Sequence, residues 1–454
     1  MEAVAQMRYG EQESPEEITA PFRPQPNSVE ETGIGFGQLL DLCTKTIYYG
    51  GRPSAREVAE QMALPFNVVE TIISFLKREK FIEVVGSVGI GEQQYQYALT
   101  ERGNEKAAEA LERNQYVGPA PIPFDEYVKV VHEQSVRKLK VDADAVGVGL
   151  GDLVLTGTTR NLVGPAVNSG RSLLLYGDPG NGKSSIAKGI GRMLTGEVLI
   201  PYAVDVSGQT IRVYDPRVHT ETRPPVPEDI ALNGPTRAER RRDLRWVIAK
   251  RPLIITGGEL TLSDLELKFS AQSKFYIAPL QMKANCGVLV VDDFGRQLVQ
   301  PKELLNRWIV PMEARVDYLS LLSGETIEVP FELLLVFSTN IPPQKLGDEA
   351  FFRRIRHKIE VGDPDERAFL EILRRACAAN DIEYTDAAGR YLIERYYRPR
   401  ARHFRGVHPR DIVDLVLDIS SFQRRKPDFT PEWIDLACAS YFIDDHEEST
   451  GPVM

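Results

Sequence analysis

Cysteine is scarce in this sequence, and the four residues present form no local pattern. Cys43, Cys286, Cys377 and Cys438 lie far apart without a CxxC pair. That excludes a disulfide framework or a zinc ribbon and fits a reducing compartment. Histidine is equally thin, with six scattered residues and no HExxH, so no histidine-built metal centre is expected. Long apolar runs are missing too. "SLLLY" and "GVLVV" stop far short of the roughly 20 residues a membrane span needs. There is no basic excess: 55 Lys and Arg stand against 65 Asp and Glu, a net charge of -10. That balance argues against nucleic acid as the main partner of the whole chain. Glu2, Glu11 and Glu13, with no apolar segment around them, do not make a secretory leader. The expected location is the cytoplasm, without membrane contact.

What is present describes an ordinary globular protein, 42% apolar and 26% charged, whose 454 residues exceed one core. Residues 1–32 are rich in Glu, Pro and Gln and read as a disordered tail. A helical period begins with Phe36, Leu39, Leu40, Cys43 and Ile47. "GGRPS" interrupts it, and Ser54 then reads as the N-cap of a helix with Ala55, Val58, Ala59 and Met62 inside. Phe66, Val69, Ile72, Ile73 and Leu76 carry a third helix. Two strands follow, "FIEVVG" and "QYQYALT", and a helix over 101–113 closes the unit. This order predicts a winged helix-turn-helix domain over 33–115.

The Pro-rich "VGPAPIP" lies in a linker read as 116–160. Beyond it, the buried runs "SLLLY", "EVLIPYAVDV", "GVLVVDD" and "ELLLVFSTN" alternate with helices, which predicts an α/β parallel sheet over 161–361. From 362 to 445 the pattern is helical, with Phe369, Ile372, Leu373 and Ala376 and later Ile412, Leu415, Val416 and Ile419. Residues 446–454 form a tail.

The stretch "YGDPGNGKSS" joins a buried strand to a helix and fits GxxxxGK[ST] through Gly177, Gly182, Lys183 and Ser184. In such a loop, residues Gly177, Asp178, Pro179, Gly180, Asn181, Gly182, Lys183, Ser184 and Ser185 enclose phosphate, and the backbone N–H groups, which Pro179 alone lacks, point at it. Lys183 reaches the β- and γ-phosphates, and Ser184 offers its hydroxyl to Mg²⁺. The helix N-terminus adds partial positive charge. "GVLVVDDFGR" ends a buried strand in two acids, Asp292 to hold the Mg²⁺ shell and Asp293 to polarise an attacking water. "LLLVFSTN" ends in Asn340, whose amide can orient that water from the other side.

Together these residues resemble the AAA+ ATPase family over about 160–445, helical lid included. The resemblance implies ATP and Mg²⁺ as ligands, Lys183 and Ser184 as Walker A, Asp292 and Asp293 as Walker B, and Asn340 as sensor 1. It further implies an arginine finger in "DEAFFRRIRHKIEV", either Arg353 or Arg354, and a sensor 2 at Arg410 in "GVHPRDIVD". "VDYLSLLSGETIEVP" reads as a hairpin before sensor 1, which is similar to the MoxR-like branch. Two departures stand out: the family usually carries Glu where Asp293 stands, and "KFY" at 274–276 reads as a buried aromatic rather than a pore loop.

The winged helix raises the question of DNA. Over 51–85, Arg52, Arg56, Lys77, Arg78 and Lys80 are matched by Glu57, Glu60, Glu70, Glu79 and Glu83, leaving no excess for phosphates. The functional expectation is an ATP-hydrolysing homo-oligomer, by resemblance a hexameric ring, that remodels a protein target chosen by the winged helix. The alternative is a slow, ATP-gated regulator that binds DNA through that domain.

Overall fold

The computed structural model describes residues 22–222, 242–346 and 352–442. Residues 1–21 of the expected N-terminal tail and all of the C-terminal one lie outside these residues; 22–32, expected to be disordered, instead pack, with Val29 and Thr32 buried. The N-terminal unit comprises α1 (Phe36–Gly50), α2 (Ala55–Met62), α3 (Phe66–Arg78), β1 (Ile82–Ser87), β2 (Tyr95–Leu99) and α4 (Glu101–Arg113). Its helices begin where the sequence supplies caps. Ser54 accepts a hydrogen bond from the Glu57 N–H, while the Glu57 carboxylate accepts one from the Ser54 N–H, a reciprocal capping box. Met62, Val69, Ile72 and Leu76 are fully buried in a core shared with Leu39, Cys43 and Ile47. Burying each such side chain contributes about 1.5–3 kcal/mol, so Ile72→Ala would cost about 2–5 kcal/mol. The strands β1 and β2 pair antiparallel.

The chain continues through β3 (Ile122–Pro123), α5 (Phe124–Glu133), α6 (Ala143–Leu150) and α7 (Gly157–Asn168). The segment expected as a linker is therefore structured: α5 buries Tyr127, Val130 and Val131, and α6 buries Val146 and Leu150. Next come β4 (Leu173–Tyr176), α8 (Lys183–Met193), β5 (Glu197–Pro201), β6 (Ala203–Val206), β7 (Gln209–Arg212), β8 (Trp246–Lys250) and β9 (Leu253–Thr256). They are followed by β10 (Lys268–Ser270), β11 (Phe275–Ile277), α9 (Leu280–Lys283), β12 (Val288–Val291) and α10 (Pro301–Ala314). Last before the C-terminal helices are β13 (Val316–Ser320), β14 (Thr326–Pro330), β15 (Leu334–Thr339), α11 (Pro343–Leu346) and β16 (His357–Glu360).

Five of these strands form a wholly parallel sheet in the order β16-β4-β15-β12-β9, the core of the expected α/β unit. Strand alternation divides its side chains between two faces. Leu173, Leu175, Val288, Val290, Leu334 and Val336 face one cluster, which receives Ile186 and Ile190 from α8. Leu174, Leu289, Leu335 and Phe337 face the other, which receives Leu304 and Trp308 from α10. Both faces are covered, which is why these runs are almost continuously apolar.

The run "EVLIPYAVDV" does not join this sheet, contrary to expectation. It splits at Tyr202: β5 pairs antiparallel with β8, and β6 pairs antiparallel with β7. Ser207 and Gly208 both have positive φ, 49° and 86°, which makes the two-residue hairpin turn that folds the chain straight back. The core position falls to β9 instead. A second sheet, β10-β11-β7-β6-β3, lies between the N-terminal unit and the core. Its neighbour is the β13–β14 hairpin, whose Leu319, Leu321, Ile327 and Val329 pack with Val204 and Ile211. Tyr276, of the "KFY" triplet, is buried in β11.

The C-terminal region is helical, as expected: α12 (Glu366–Ala379), α13 (Asp386–Leu392), α14 (His408–Gln423) and α15 (Pro431–Tyr441). Phe369, Leu373, Leu392, Ile412, Val416 and Ile434 make its core. Among the described residues no helix is long and apolar enough to cross a membrane.

Candidate functional site

The carboxyl ends of β4, β15 and β12 lie side by side, so the loops leaving them converge; this is where open parallel sheets place ligands. The loop after β4 has little room for side chains. Gly177 has φ 138°, and a Cβ there would stand 2.4 Å from the Val361 carbonyl oxygen. Gly182, at φ 85°, is the N-cap of α8, and no side chain caps the first turn of that helix. Lys183 is 5% exposed, and its ammonium donates to the carbonyls of Gly177 (2.9 Å) and Asp178 (2.7 Å). Burial pushes that ammonium below the ordinary lysine range; Asp292, Asp293 and Asp178 pull it back, and Arg405 pushes it down again.

The turn after β12 is fixed by short hydrogen bonds. Phe294 donates its N–H to Ser338 O at 2.7 Å, and Thr339 donates its hydroxyl to Phe294 O at 2.7 Å. Asp293 occupies the left-handed region at φ 47° and donates its N–H to Asp292 Oδ1 at 3.0 Å. Because β15 lies between β4 and β12, Asn340 emerges between the phosphate-type loop and the paired acids. Its Nδ2 donates to Asp293 Oδ1 at 2.9 Å.

These groups open on one cleft of about 910 Å³. Residues 179–185 line it, with Asp292, Asp293, Asn340 and, from α14, Arg410. Gly177 and Asp178 do not line it, but their carbonyls hold Lys183. Arg353 is exposed and Arg354 pairs with Glu313 at 2.5 Å; neither lines the cleft of its own chain.

Sequence reasoning missed the groups that join the lid to the loop. Arg405 donates to Pro179 O (2.9 Å) and to Asp178 Oδ2 (3.2 Å). The Asn181 amide donates to Asp363 Oδ1 at 2.7 Å, and its oxygen accepts from the Gly406 N–H at 3.1 Å. A Cβ on Gly180 would stand 2.7 Å from Val407 Cγ1, so that glycine serves lid contact as well as the loop. Residues 151–155, part of the expected linker, and Ile372, Arg375 and Asn380 of the lid complete the wall. None of these carries a local motif. Only the "GNG" spacing hints at a backbone that must be approached closely.

Among the described residues no three His, Cys, Asp or Glu side chains gather to hold a metal. The donors at the cleft, one serine hydroxyl and one or two carboxylates, suit Mg²⁺, which keeps several waters and relies on substrate phosphates.

A family described as a domain of unknown function (DUF8689) matches residues 365–440, the span of α12 to α15. No curated protein matches the chain. Among solved structures, a mutant RuvB of Thermotoga maritima is similar at 15% identity and a TM-score of 0.37, over 63% of this chain and 70% of that one. The RuvB Holliday junction branch migration motor of the same organism is similar at 16% identity and a TM-score of 0.33, over 72% and 74%. NtrX of Brucella abortus is similar at 13% identity and a TM-score of 0.37, over 72% and 66%.

Proposed function

We propose that the protein binds and hydrolyses ATP in the cleft between the parallel sheet and the helical lid. The observation that carries this reading is the Asn340–Asp293 hydrogen bond, which joins two strand ends across the mouth of a glycine loop holding a buried lysine. Residues 177–185, Pro179 excepted, bind the phosphates through backbone N–H groups, and Lys183 exchanges its carbonyl partners for phosphate oxygens. Ser184 and Asp292 hold Mg²⁺, which supplies charge neutralisation on the phosphates. Asp293 accepts the proton of the attacking water while Asn340 fixes its direction. Arg410, at the start of α14, faces the cleft where an anion offsets its unfavourable place at a helix N-terminus.

Arg353 and Arg354 lie outside their own cleft and act on a neighbour's nucleotide in a ring, taken as a hexamer, of the MoxR-like kind. A cation supplied in trans contributes about 10³ or more in rate. The N-terminal unit, a winged helix over 33–115, selects a protein target. Supporting this over DNA, Glu92, between β1 and β2, stands close enough to Glu70 on α3 to push its carboxyl up, so two acids meet on the helix with no basic excess to offset them.

Phosphate release by the purified chain in Mg²⁺ and ATP tests the central reading; a rate equal to that of Lys183→Ala would overturn it. Mixing inactive Lys183→Ala with inactive Arg354→Ala chains tests the shared site. Recovery of activity is expected, and none in mixtures shown to co-assemble would place the site within one subunit.

A further inference from the structure

Away from the cleft, at the amino ends of β4 and β16, the surface holds a basin of about 410 Å³. Arg137, Arg171, Arg315 and Arg356 line it, with Ser169 and a single carboxylate, Glu313. They come from four separated stretches of sequence, and the chain as a whole carries a net charge of -10. Four guanidinium groups around one small hollow are therefore not a reflection of composition.

Within the chain these cations are poorly compensated. Glu313 is already paired with Arg354. Among the described residues Arg137, Arg171 and Arg356 form no ion pair. Arg315 is half-buried and tethered by backbone carbonyls, donating to Leu333 O at 3.2 Å and to Gly170 O. Burial pushes the Arg315 guanidinium below its ordinary range; Glu332 pulls it back, and Arg137 and Arg171 push it down further. His357, at the foot of β16, is lowered by burial and then by Arg356 and Lys358. Packing also fixes the geometry: Gly170, at φ 57°, leaves space that a Cβ would contest with Arg137 Cγ at 2.6 Å. Like charges held this close repel one another, and an oxyanion between them removes the repulsion. Planar guanidinium groups match the oxygens of a phosphate in pairs.

We propose that this basin is an oxyanion site that takes a phosphate group presented by another molecule, with Arg137, Arg171 and Arg356 as the donors and Arg315 as its floor. At about 410 Å³ the basin has room for a phosphate group or a short polyphosphate among its four arginines. Two sources share that chemistry, a free polyphosphate and a nucleotide held by a second copy of this chain. The second source rests on the proposed ATP-binding cleft, while the basin itself does not.

The probe is sodium tripolyphosphate, titrated calorimetrically into the full chain carrying Lys183→Ala, which silences the phosphate loop. One site per chain is expected, weakened about tenfold or more in the further variant Arg171→Gln with Arg356→Gln, and partly retained when both become Lys. Independently of any variant, tripolyphosphate should protect Arg171 and Arg356 of the wild-type chain from phenylglyoxal, read by peptide mass spectrometry. Equal affinity with and without the two arginines, or no protection, overturns the proposal. So does displacement of the probe by a short DNA duplex with a steep salt dependence, which would assign the basin to nucleic acid.

A non-hydrolysable ATP analogue on chains with Lys183 intact separates the sources. If the Gln pair reduces nucleotide-dependent association but not nucleotide affinity per chain, the phosphate comes from a second copy. If association is unchanged and only tripolyphosphate binding is lost, it is a free ligand. Should Lys183→Ala still bind ATP like wild type, the cleft reading fails, and the arginine-dependent difference still decides the basin.

Discussion

The cleft and the N-terminal unit handle charge in opposite ways. On the N-terminal unit, charges are spent locally. Asp41 takes both Arg113 and Lys106, and Arg56 pairs with Glu60 one helical turn away. Such surface pairs contribute about 0–1 kcal/mol each and chiefly keep the surface solvated. In the cleft, by contrast, Lys183 is buried yet rests on two carbonyls, while Asp292 and Asp293 stand beside it without taking its charge in an ion pair. A buried ammonium satisfied only by neutral oxygens keeps its charge uncompensated, which is what the proposed anion would use. What separates a chemical site from a folded surface here is charge left in reserve.

The largest test of that difference removes the reserve. Lys183→Ala should lower turnover by about 10³-fold or more and abolish detectable ATP binding by calorimetry, with little change in melting temperature. Nucleotide affinity equal to wild type would erase the contrast. Next in size, Asp293→Asn should keep ATP affinity within a few-fold while hydrolysis falls by about 10²–10⁴-fold, because the amide keeps the shape and loses the base. Single-turnover phosphate release separates these two effects.

Arg405→Ala should act more gently. It frees the lid from Asp178 and Pro179 without touching the reacting groups, so KM for ATP should rise about three- to tenfold with kcat changed less. An unchanged KM would show that the lid needs no such tether.

The last effect is one of stability rather than of chemistry and belongs to the N-terminal unit, where one charge does resemble the cleft's. Lys45 is buried, donates to Asn114 O at 2.8 Å, and is pushed down by burial to about 8. Its folded value lies below its unfolded one, so the unfolded chain binds more protons between pH 8 and 10, and stability from this group rises with pH across that window. The unfolding free energy of wild type relative to Lys45→Met, from denaturant titrations, should therefore rise from pH 7.5 to 10, by about 1–3 kcal/mol at most. A pH-independent difference would sink this account.

Legibility in the sequence followed the range of the interactions. The caps, the helical faces of α1 to α3, the phosphate-type loop and the acid-ended strand are set by neighbours in sequence, and each could be read from its own stretch. The strand order could not. β9 is four residues long with Ile255 exposed, a weaker signal than the apolar "EVLIPYAVDV" that it displaces from the core. The second sheet is built from strands of two to four residues, too short for any period to show. The lid tether joins Asn181 to Asp363 and Gly406, positions more than 180 residues apart, and the arginine basin draws on residues from 137 to 356. Such sites exist only once the topology has brought their parts together.

The left-handed backbone at Asp293 bears on how this chain could be altered. At φ 47° a residue's Cβ crowds its own carbonyl, a strain that Asp and Asn tolerate better than longer acids. Restoring the glutamate usual in the resembling family is thus more than lengthening a side chain. The new carboxyl would enter at a turn pinned by Ser338 and Thr339 and would overshoot the Asn340 amide that Asp293 now meets at 2.9 Å. The short acid and the tight turn constrain each other, and exchanging one alone leaves the chain with neither geometry. A route to the longer acid passes first through the turn, by relaxing residues 293–297, and only then through the side chain.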